Sequence, residues 1–411
     1  VTFFYSCEKG SGSPVSIECI ECLSYSVGDT FTLNGDEYIV ANREILDDAI
    51  ENYEDLTKYC VSHIEDMSNL FYQNSKKWDS FNQDLSQWDV RNVTDMSRMF
   101  SDAKEFDQNL NNWSVDNVRD MSYMFGGSGN DGRKFNGDIK DWNVSNVENI
   151  AGMFSWCVYF NQDISKWNVS KIEDMSLLFY HAHSFTQDLK DWDVGNVKNM
   201  TNMFYQSPFD SDLGSWNVSS VESMSGMFYG TYLSECDLSS WDVSNVLIMN
   251  RMFSFTDISS PGISSWDVSN VIGISEMFYH CEVFNEDIGA WDVGNVTEML
   301  GLFGYCESFN QDISNWNVSN VTNMSEMFIG GRTWDSNGVM TVKGALAFNQ
   351  DLGDWDVSNV TNMNKMFKYA TSFDNDLSKW CVTKISNWPT EFALNSPISN
   401  TSKMPVWGTC P

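Results

Sequence analysis

The sequence predicts an α/β repeat solenoid of about 12 to 13 coils, each with one short parallel strand and one short helix or 3₁₀ turn. Three observations carry this prediction. Trp returns about every 25 residues, other residue types keep fixed distances from it, and the apolar spacing changes from two to three residues within each unit. The repeated tryptophans are Trp88, Trp113, Trp142, Trp167, Trp192, Trp216, Trp241, Trp266, Trp291, Trp316, Trp355 and Trp380.

The repeat unit reads F-N-Q-D-[LI]-S-x-W-[DN]-V-S-N-V-T-x-M-S-x-M-F, and residues 309–328 are close to its ideal copy. Val lies two residues after the Trp and Phe lies twelve residues after it in every unit. Two further positions, eight and eleven after the Trp, hold most of the 21 Met residues. These columns predict one continuous core made of the same side chains in each coil, so the abundance of Trp, Met and Phe needs no cofactor.

Within one unit, the stretch that runs up to the Val after the Trp ends in alternation of apolar and polar residues, which predicts a short strand. Val93, Met96 and Met99 then recur every three residues, which predicts a short helix or 3₁₀ turn with Thr94 as its N-cap. One coil buries too little apolar surface to offset its own ordering entropy. We therefore expect the coils to stack and to be stable only together.

Composition excludes several classes of protein. The 411 residues include 42% hydrophobic residues, which excludes a disordered chain, and no apolar run is long enough to span a membrane. A net charge of -33 argues against binding to nucleic acid or to anionic lipid. Motifs of nucleotide-binding or hydrolytic sites are missing, and His181 and His183 are interpreted as surface residues. The sequence therefore predicts a protein that is not an enzyme.

Most units carry Asp four residues before the Trp, and stacking would align these carboxylates at a spacing of about 4.8 Å. Like charges this close repel, so each needs compensation. Two alternatives remain open: each carboxylate accepts hydrogen bonds from N–H groups of its own turn, or calcium ions are shared between coils. A second polar column, Asn four residues after the Trp, is expected to bond neighbouring backbones. The candidate metal ligands are Asp84, Asp163, Asp188, Asp312 and Asp376.

The unit W-[DN]-V-S-N-V-T-x-M-S-x-M-F together with F-N-Q-D-[LI]-S resembles the repeat of BspA-like leucine-rich-repeat surface proteins. The resemblance covers about residues 56–392, and its many copies make it specific. It implies a leucine-rich-repeat-like solenoid with parallel strands, secreted or at the cell surface, that serves adhesion or surface architecture. The resemblance carries over no catalytic residue.

The ends of the chain depart from the repeat. Residues 27–42 read as a hairpin around Asn34-Gly35, and residues 43–53 read as a helix that leads into the first coil. The chain starts without Met and without a secretion signal, so we interpret it as a processed, secreted chain. The predicted regions are an N-terminal cap at 1–55, the repeats at 56–392 and a C-terminal cap or tail at 393–411.

The ten cysteines predict disulfide-stapled caps and hence an extracellular protein. Cys381 and Cys410 form the pair expected at the C-terminal end. Cys281 and Cys306 lie in one column on neighbouring coils and form a second candidate pair, whereas Cys157 in the same column is expected to be a free core thiol. The candidates in the N-terminal cap are Cys7, Cys19, Cys22 and Cys60.

Two insertions, 126–133 and 330–346, lengthen their units, and solenoids accept insertions in loops on one face, often the binding face. Arg133 and Trp334 are therefore candidate interaction residues. Asn112 and Asn400 belong to N-x-[ST] sequences outside the repeated N-V pattern and are candidate glycosylation sites.

Two functions fit the sequence. The protein is a structural unit that builds or decorates a surface filament, sheath or coat, with other copies of itself or other surface proteins as partners. Alternatively, it is an adhesion or ligand-binding module that recognises a protein or a glycan through a concave face or through the inserted loops. The uniform faces of the repeats favour the first. We expect no bound cofactor other than calcium.

Overall fold

The structure, a computed structural model, describes residues 19–72, 78–101, 103–127, 129, 132–233, 236–259, 261–334, 340–344 and 347–411, with only the backbone described at 332–334 and 340–343. The chain divides into two compact units, Val1–Val197 and Lys198–Pro411. The first unit contains the N-terminal cap and the earlier repeats, and the second contains the later repeats and the C-terminal end.

The N-terminal cap begins with a hairpin of β1 (Thr30–Leu33) and β2 (Asp36–Val40). The two residues between the strands, Asn34 and Gly35, have φ of 54° and 94°, the left-handed values that a tight hairpin turn requires. A short strand, β3 (Tyr59–Cys60), pairs with β2 in parallel and completes a three-stranded sheet.

The helix α1 (Arg43–Glu51) follows the hairpin. Asn42 caps its start, because the Asn42 side chain accepts a hydrogen bond of 3.0 Å from the N–H of Ile45. The helix buries Leu46, Ala49 and Ile50, and a 3₁₀ turn at Leu56–Lys58 connects it to β3. In the described residues, no helix is long and apolar enough to cross a membrane.

Each repeat is a chain of β-turns. In the coil of Trp88, the N–H groups of Val93, Met99 and Ala103 donate to the carbonyl three residues earlier, at Val90, Met96 and Phe100. All six of these side chains are buried. Of the two predicted forms, the short helix is therefore wrong, whereas the hydrogen bonds between residues i and i+3 are those of single 3₁₀-type turns, which place apolar residues at a similar three-residue spacing.

The strand predicted to lead up to the Val after the Trp is also wrong, because a turn occupies that stretch, as where Trp113 N–H donates to Leu110 at 2.9 Å. Neighbouring coils instead meet in single parallel bridges seven residues after the Trp, for example Asp95 with Asp120. A left-handed residue three positions later, Arg98 (φ 55°), interrupts the extended run and prevents a strand.

The second insertion forms an antiparallel hairpin of β4 (Gly331–Trp334) and β5 (Met340–Lys343). A 3₁₀ turn at Ile263–Ser265 lies in an earlier coil of the same unit. Among the described residues, the coils from Trp88 onward contain no other strand. Turns within each coil and hydrogen bonds between neighbouring coils hold them together.

The Trp column shows how coils stack inside each unit. In the first unit, the rings of Trp88 and Trp113 are parallel, with centroids 6.4 Å apart, and Trp241 and Trp266 repeat this at 6.3 Å in the second. Indole N–H groups of this column donate to a backbone carbonyl of the preceding coil, as from Trp113 to Leu85 at 2.9 Å and from Trp241 to Leu213 at 3.0 Å. A Trp that makes this bond fills the core and also joins two coils.

The Asn column lies at a corner of the repeats and bonds the preceding coil, as expected. Asn117 donates to the carbonyl of Arg91 at 2.7 Å, and Asn245 donates to that of Ser219 at 2.8 Å. These bonds confirm the prediction that stacked Asn amides join neighbouring backbones. The recurrence of Asn in this column follows from this bond between neighbouring coils.

Disulfides join Cys22 to Cys60 in the N-terminal cap and Cys381 to Cys410 at the C-terminal end. Cys19 is buried and is also disulfide-bonded, and Cys7 lies outside the described residues.

The bridge predicted between Cys281 and Cys306 is wrong, because both are buried free thiols. Each sulfur instead donates to a carbonyl of the preceding coil, Cys281 to Phe253 at 2.9 Å and Cys306 to Phe278 at 2.8 Å. Cys157 is a buried free thiol, as predicted.

Candidate functional site

Two consecutive turns of each repeat bury their end residues, and in many repeats they leave at least one central residue half-buried or exposed. We define the outer face as the side chains ten, thirteen, fourteen and sixteen residues after the Trp. The backbone is left-handed at positions ten and fourteen of many coils, for example at Arg98, Glu276 and His280. The outer face includes Tyr72, Arg98, Tyr123, Trp156, Tyr180, His181 and His183 in the first unit, and Tyr205, Tyr229, Arg251, Phe255, Glu276, Tyr279, His280, Tyr305, Glu326 and Lys365 in the second.

In the second unit the outer face carries a row of rings that pack against each other from coil to coil. Tyr205 and Tyr229 stack with centroids 4.2 Å apart, and Tyr229 lies 5.2 Å from Phe255. His280 is stacked between Phe255, at 4.5 Å, and Tyr305, at 4.2 Å. Phe255 is nevertheless 45% exposed. The other four rings are half-buried, so the row is an ordered aromatic surface that is partly open to solvent.

Charged side chains accompany these rings. Arg251 donates to both carboxylate oxygens of Glu276, at 2.6 and 3.3 Å, and Lys365 pairs with Glu326 at 2.9 Å. Burial raises the pKa of Tyr205 to about 12, with a further contribution from its hydrogen bond to Tyr229. This phenol therefore stays protonated at neutral pH and can donate or accept a hydrogen bond.

In the first unit the outer face begins with an arginine between two phenols. The guanidinium carbon of Arg98 lies 5.5 Å from the ring centre of Tyr72 and 4.9 Å from that of Tyr123. Such cation–π contacts hold a long, flexible side chain in one place.

A cluster of Trp156, His181 and His183 lies further along the same unit. The Trp156 and His181 rings stack with centroids 4.0 Å apart and planes 10° apart. Nδ1 of His181 lies 3.2 Å from Nε2 of His183. Burial, together with the neighbouring His183, lowers the pKa of His181 to about 4. His181 is therefore neutral at neutral pH.

The five Asp residues proposed as metal ligands each accept a hydrogen bond from the backbone N–H two residues on. The distances are 3.0 Å at Asp84, Asp163, Asp188 and Asp312 and 2.9 Å at Asp376. These bonds favour the first of the two alternatives, compensation by the turn itself. Among the described residues, no group of three or more His, Cys, Asp or Glu is placed to hold a metal ion.

Hydrogen bonds from the side chain and backbone of Ser165 lower the pKa of Asp163, and Ser314 does the same for Asp312 through its backbone first. One coil has Gly262 where the others have an acidic or amide side chain. There, the carboxylate of Glu286 from the next coil accepts from the N–H groups of Gly262, at 3.0 Å, and Ser264, at 2.8 Å. The need for an acceptor at this turn is thus met even without the Asp.

The inserted loops differ from expectation. Arg133, predicted to be an interaction residue, is buried, and its Nε donates to the carbonyl of Ser101 at 3.0 Å. That prediction is wrong, because the guanidinium closes the core of an adjacent coil instead of facing solvent. The backbone of Trp334 lies in β4, but its side chain lies outside the described part of the chain. Asn400 is exposed and Asn112 is half-buried, and their glycosylation stays a prediction.

The outer face was not predicted from the sequence, because the repeat unit read there ends at the Phe and most residues of this face follow it. A signal was present: aromatic residues or His occupy position thirteen or fourteen in many coils, as at Tyr205, Tyr229, Phe255 and His280. The repeat consensus hides these residues because they change type from coil to coil.

Buried columns that recur coil after coil, joined by the same hydrogen bonds, define a tandem-repeat protein with a variable outer face. Within that class, the chain belongs to the family described as "Mycoplasma protein of unknown function, DUF285". The family model matches five successive segments, 41–131, 129–208, 199–258, 254–340 and 332–404. No curated protein matches the chain, and no solved structure matches it either.

Proposed function

We propose that this protein is a non-catalytic, secreted or cell-surface solenoid that recognises a partner molecule through its outer face. The observation that carries the proposal is the open row of rings at Tyr205, Tyr229, Phe255, His280 and Tyr305. Tyr, Trp and Arg supply much of the binding energy at protein interfaces, and stacked rings lose little further freedom when a partner binds.

The contrast with the rest of the surface supports this proposal. The polar groups of the recurring columns already form hydrogen bonds inside the protein, as from Asn245 to Ser219 and from Ser165 to Asp163. Their repetition is therefore explained by folding and does not require periodic contacts with other molecules. This removes the main argument for a purely structural assembly.

The extracellular location is supported by the disulfides Cys22–Cys60 and Cys381–Cys410, since disulfides persist in oxidising compartments. The resemblance of the repeat to BspA-like surface proteins points to the same location and to adhesion. Stacking of the Trp and Phe columns inside each unit supports a solenoid of the leucine-rich-repeat kind.

A binding comparison tests the proposal. The full chain would be immobilised and exposed to panels of extracellular proteins and glycans. A variant with Phe255→Ser and Tyr279→Ser should lose at least about tenfold in affinity for any specific partner. Its matched control carries Leu247→Ser and Ile272→Ser, which remove two side chains that are 41% and 47% exposed elsewhere on the same coils. Equal loss, or no loss, in the two variants would refute recognition through the outer face.

The second candidate, a structural unit of a surface assembly, rests on the exposed apolar residues at the C-terminal end, where Trp388 is 56% exposed and Val406 is 63% exposed. Apolar residues at the end of a repeat array suit end-to-end contacts. Light scattering and electron microscopy at rising concentration decide between the candidates: filaments or ordered oligomers favour assembly, and a monodisperse monomer counts against it.

A further inference from the structure

The two histidines His181 and His183 lie in the outer face of the first unit, two residues apart, with their ring nitrogens facing each other. Nδ1 of His181 and Nε2 of His183 are 3.2 Å apart, and the ring centroids are 5.4 Å apart with planes at 80°. In the apo protein this contact is a hydrogen bond, with one nitrogen donating and the other accepting.

The same geometry is close to that of two imidazoles on one metal ion. Zinc–nitrogen bonds are about 2.0–2.1 Å long, and a tetrahedral angle between two such bonds places the nitrogens roughly 3.3–3.4 Å apart. The observed 3.2 Å is close to this separation, so the two rings need to turn, with little change in the distance between the nitrogens, for both lone pairs to meet at one cation. We propose that His181 and His183 form a bidentate site for a transition-metal cation that prefers imidazole, such as Ni²⁺, Cu²⁺ or Zn²⁺.

Metal binding at this pair needs no net release of protons. Each imidazole is neutral and carries one N–H, so the ring that donates in the hydrogen bond moves its proton to its other nitrogen when the metal takes its place. Water or a group from a bound partner would complete the coordination sphere.

Trp156 makes the site rigid on one side. Its indole is stacked on the face of His181 at 4.0 Å, and Tyr180 meets the same imidazole edge-on at 4.5 Å. Stacking occupies the face of the ring and leaves the edge, which carries the nitrogens, for a ligand. His183 is exposed, so a cation can reach the pair from solvent. Preorganisation of this kind lowers the entropic cost of binding.

The test uses the full chain, with Ni²⁺ as the probe and excess Mg²⁺ present. Mg²⁺ saturates weak oxygen sites on a protein of net charge -33 but competes poorly for imidazole. Calorimetry measures stoichiometry and affinity. Quenching of Trp fluorescence by Cu²⁺ reports where the cation is bound, because the part contributed by Trp156, which stacks on His181, should be missing in a Trp156→Phe variant.

The variants are His181→Gln and His183→Gln. Gln is acceptable at the first position, because Gln206 lies at the equivalent place in the next coil with a left-handed φ of 51°. The matched control is His280→Gln: His280 holds the same position in another coil but is followed two residues later by Glu282 rather than by His. Thermal unfolding verifies that each variant is folded.

The expected result is one equivalent of Ni²⁺ on the wild type and on His280→Gln, with affinity at least about tenfold weaker in both His181→Gln and His183→Gln. The proposal is overturned if the wild type binds no Ni²⁺ in Mg²⁺, or if the two variants bind as tightly as the wild type. Because His183 is exposed, His183→Gln decides the matter even if His181→Gln fails to fold.

Discussion

The recurring Asn and Asp columns and the outer face of each repeat use their side chains in opposite ways. In the columns, Asn117 and Asp163 form hydrogen bonds with backbone groups, and the same residue types do so in other coils. On the outer face, Phe255, His280 and Tyr305 pack against each other, and the residue type changes from coil to coil. Repetition in this chain thus marks what folding requires, and the variable side chains are those to which our proposal assigns recognition.

The largest expected effect is on stability, when a Trp of the buried column and a Trp of the outer face are each replaced by Ala. Trp241→Ala should reduce the free energy of unfolding by about 3–5 kcal/mol, because it empties a buried site and leaves the Leu213 carbonyl without its 3.0 Å hydrogen bond. Trp156→Ala, on the outer face, should cost only about 0.5–1.5 kcal/mol of ring stacking. Denaturant unfolding measures both. Similar losses in the two variants would erase the distinction between core column and outer face.

The second expected effect separates cysteines at the end of the chain from those in the core. Replacing Cys381 and Cys410 by Ser should cost about 3 kcal/mol, as expected for a disulfide that closes a loop of this length. Cys281→Thr should cost less than about 1 kcal/mol, since Thr256 fills the same column and its hydroxyl donates to Phe228 at 2.7 Å.

Thiol labelling gives an independent check of the second comparison. Cys281 and Cys306 should stay unreactive in the folded protein, since burial raises the pKa of both thiols, and should react once the protein unfolds without reductant. A disulfide between them would show as two thiols missing from the unfolded, non-reduced chain.

A smaller effect is expected in the Asp column. Asp163→Ala should cost about 0.5–1.5 kcal/mol, because the N–H of Ser165 loses its acceptor. Asp163→Asn should be nearly neutral, since Asn109 holds the equivalent place in another coil and accepts from Asn111 at 2.9 Å. Chemical denaturation of the three proteins at neutral pH tests this. Equal losses for Ala and Asn would show that charge, not the hydrogen bond, matters at this turn.

The same carboxylate contributes to acid sensitivity. Hydrogen bonds from Ser165 lower the pKa of Asp163 in the folded state below the value of about 3.9 in an unfolded chain. Its stabilisation is therefore present above about pH 4 and is lost as the pH falls through the lower folded-state value. The difference in melting temperature between the wild type and Asp163→Ala should shrink as the pH falls below about 4. A difference that is independent of pH would contradict this assignment.

The smallest expected effect is that of chelation. If the turns themselves satisfy the carboxylates of Asp84, Asp312 and the other members of the column, EDTA should leave the melting temperature unchanged. Calcium added back to a chelated sample serves as the control. A melting temperature that falls in EDTA and recovers with calcium would restore the alternative of ions shared between coils.

Much of the architecture could be predicted from sequence, because it depends on which residue types recur. The buried Trp, Val, Met and Phe columns, the Asn bonds between coils and the Cys381–Cys410 disulfide follow from position within the repeat. The predicted helix failed at Val93, Met96 and Met99 because helices and successive β-turns share a three-residue spacing. The prediction of a disulfide between Cys281 and Cys306 was wrong because residues in one column need not point at each other.

By itself, the sequence determined that this is a tandem-repeat protein, what its period is and which columns are buried, since hydrophobic burial acts on residue type wherever the type recurs. Only the tertiary structure decided that the coils consist of turns with left-handed residues, and that rings about 25 residues apart form a row. It also brought the nitrogens of His181 and His183 to 3.2 Å. Such contacts depend on the direction of the backbone and on the position of the neighbouring coil, and neither can be inferred from the type of a single residue.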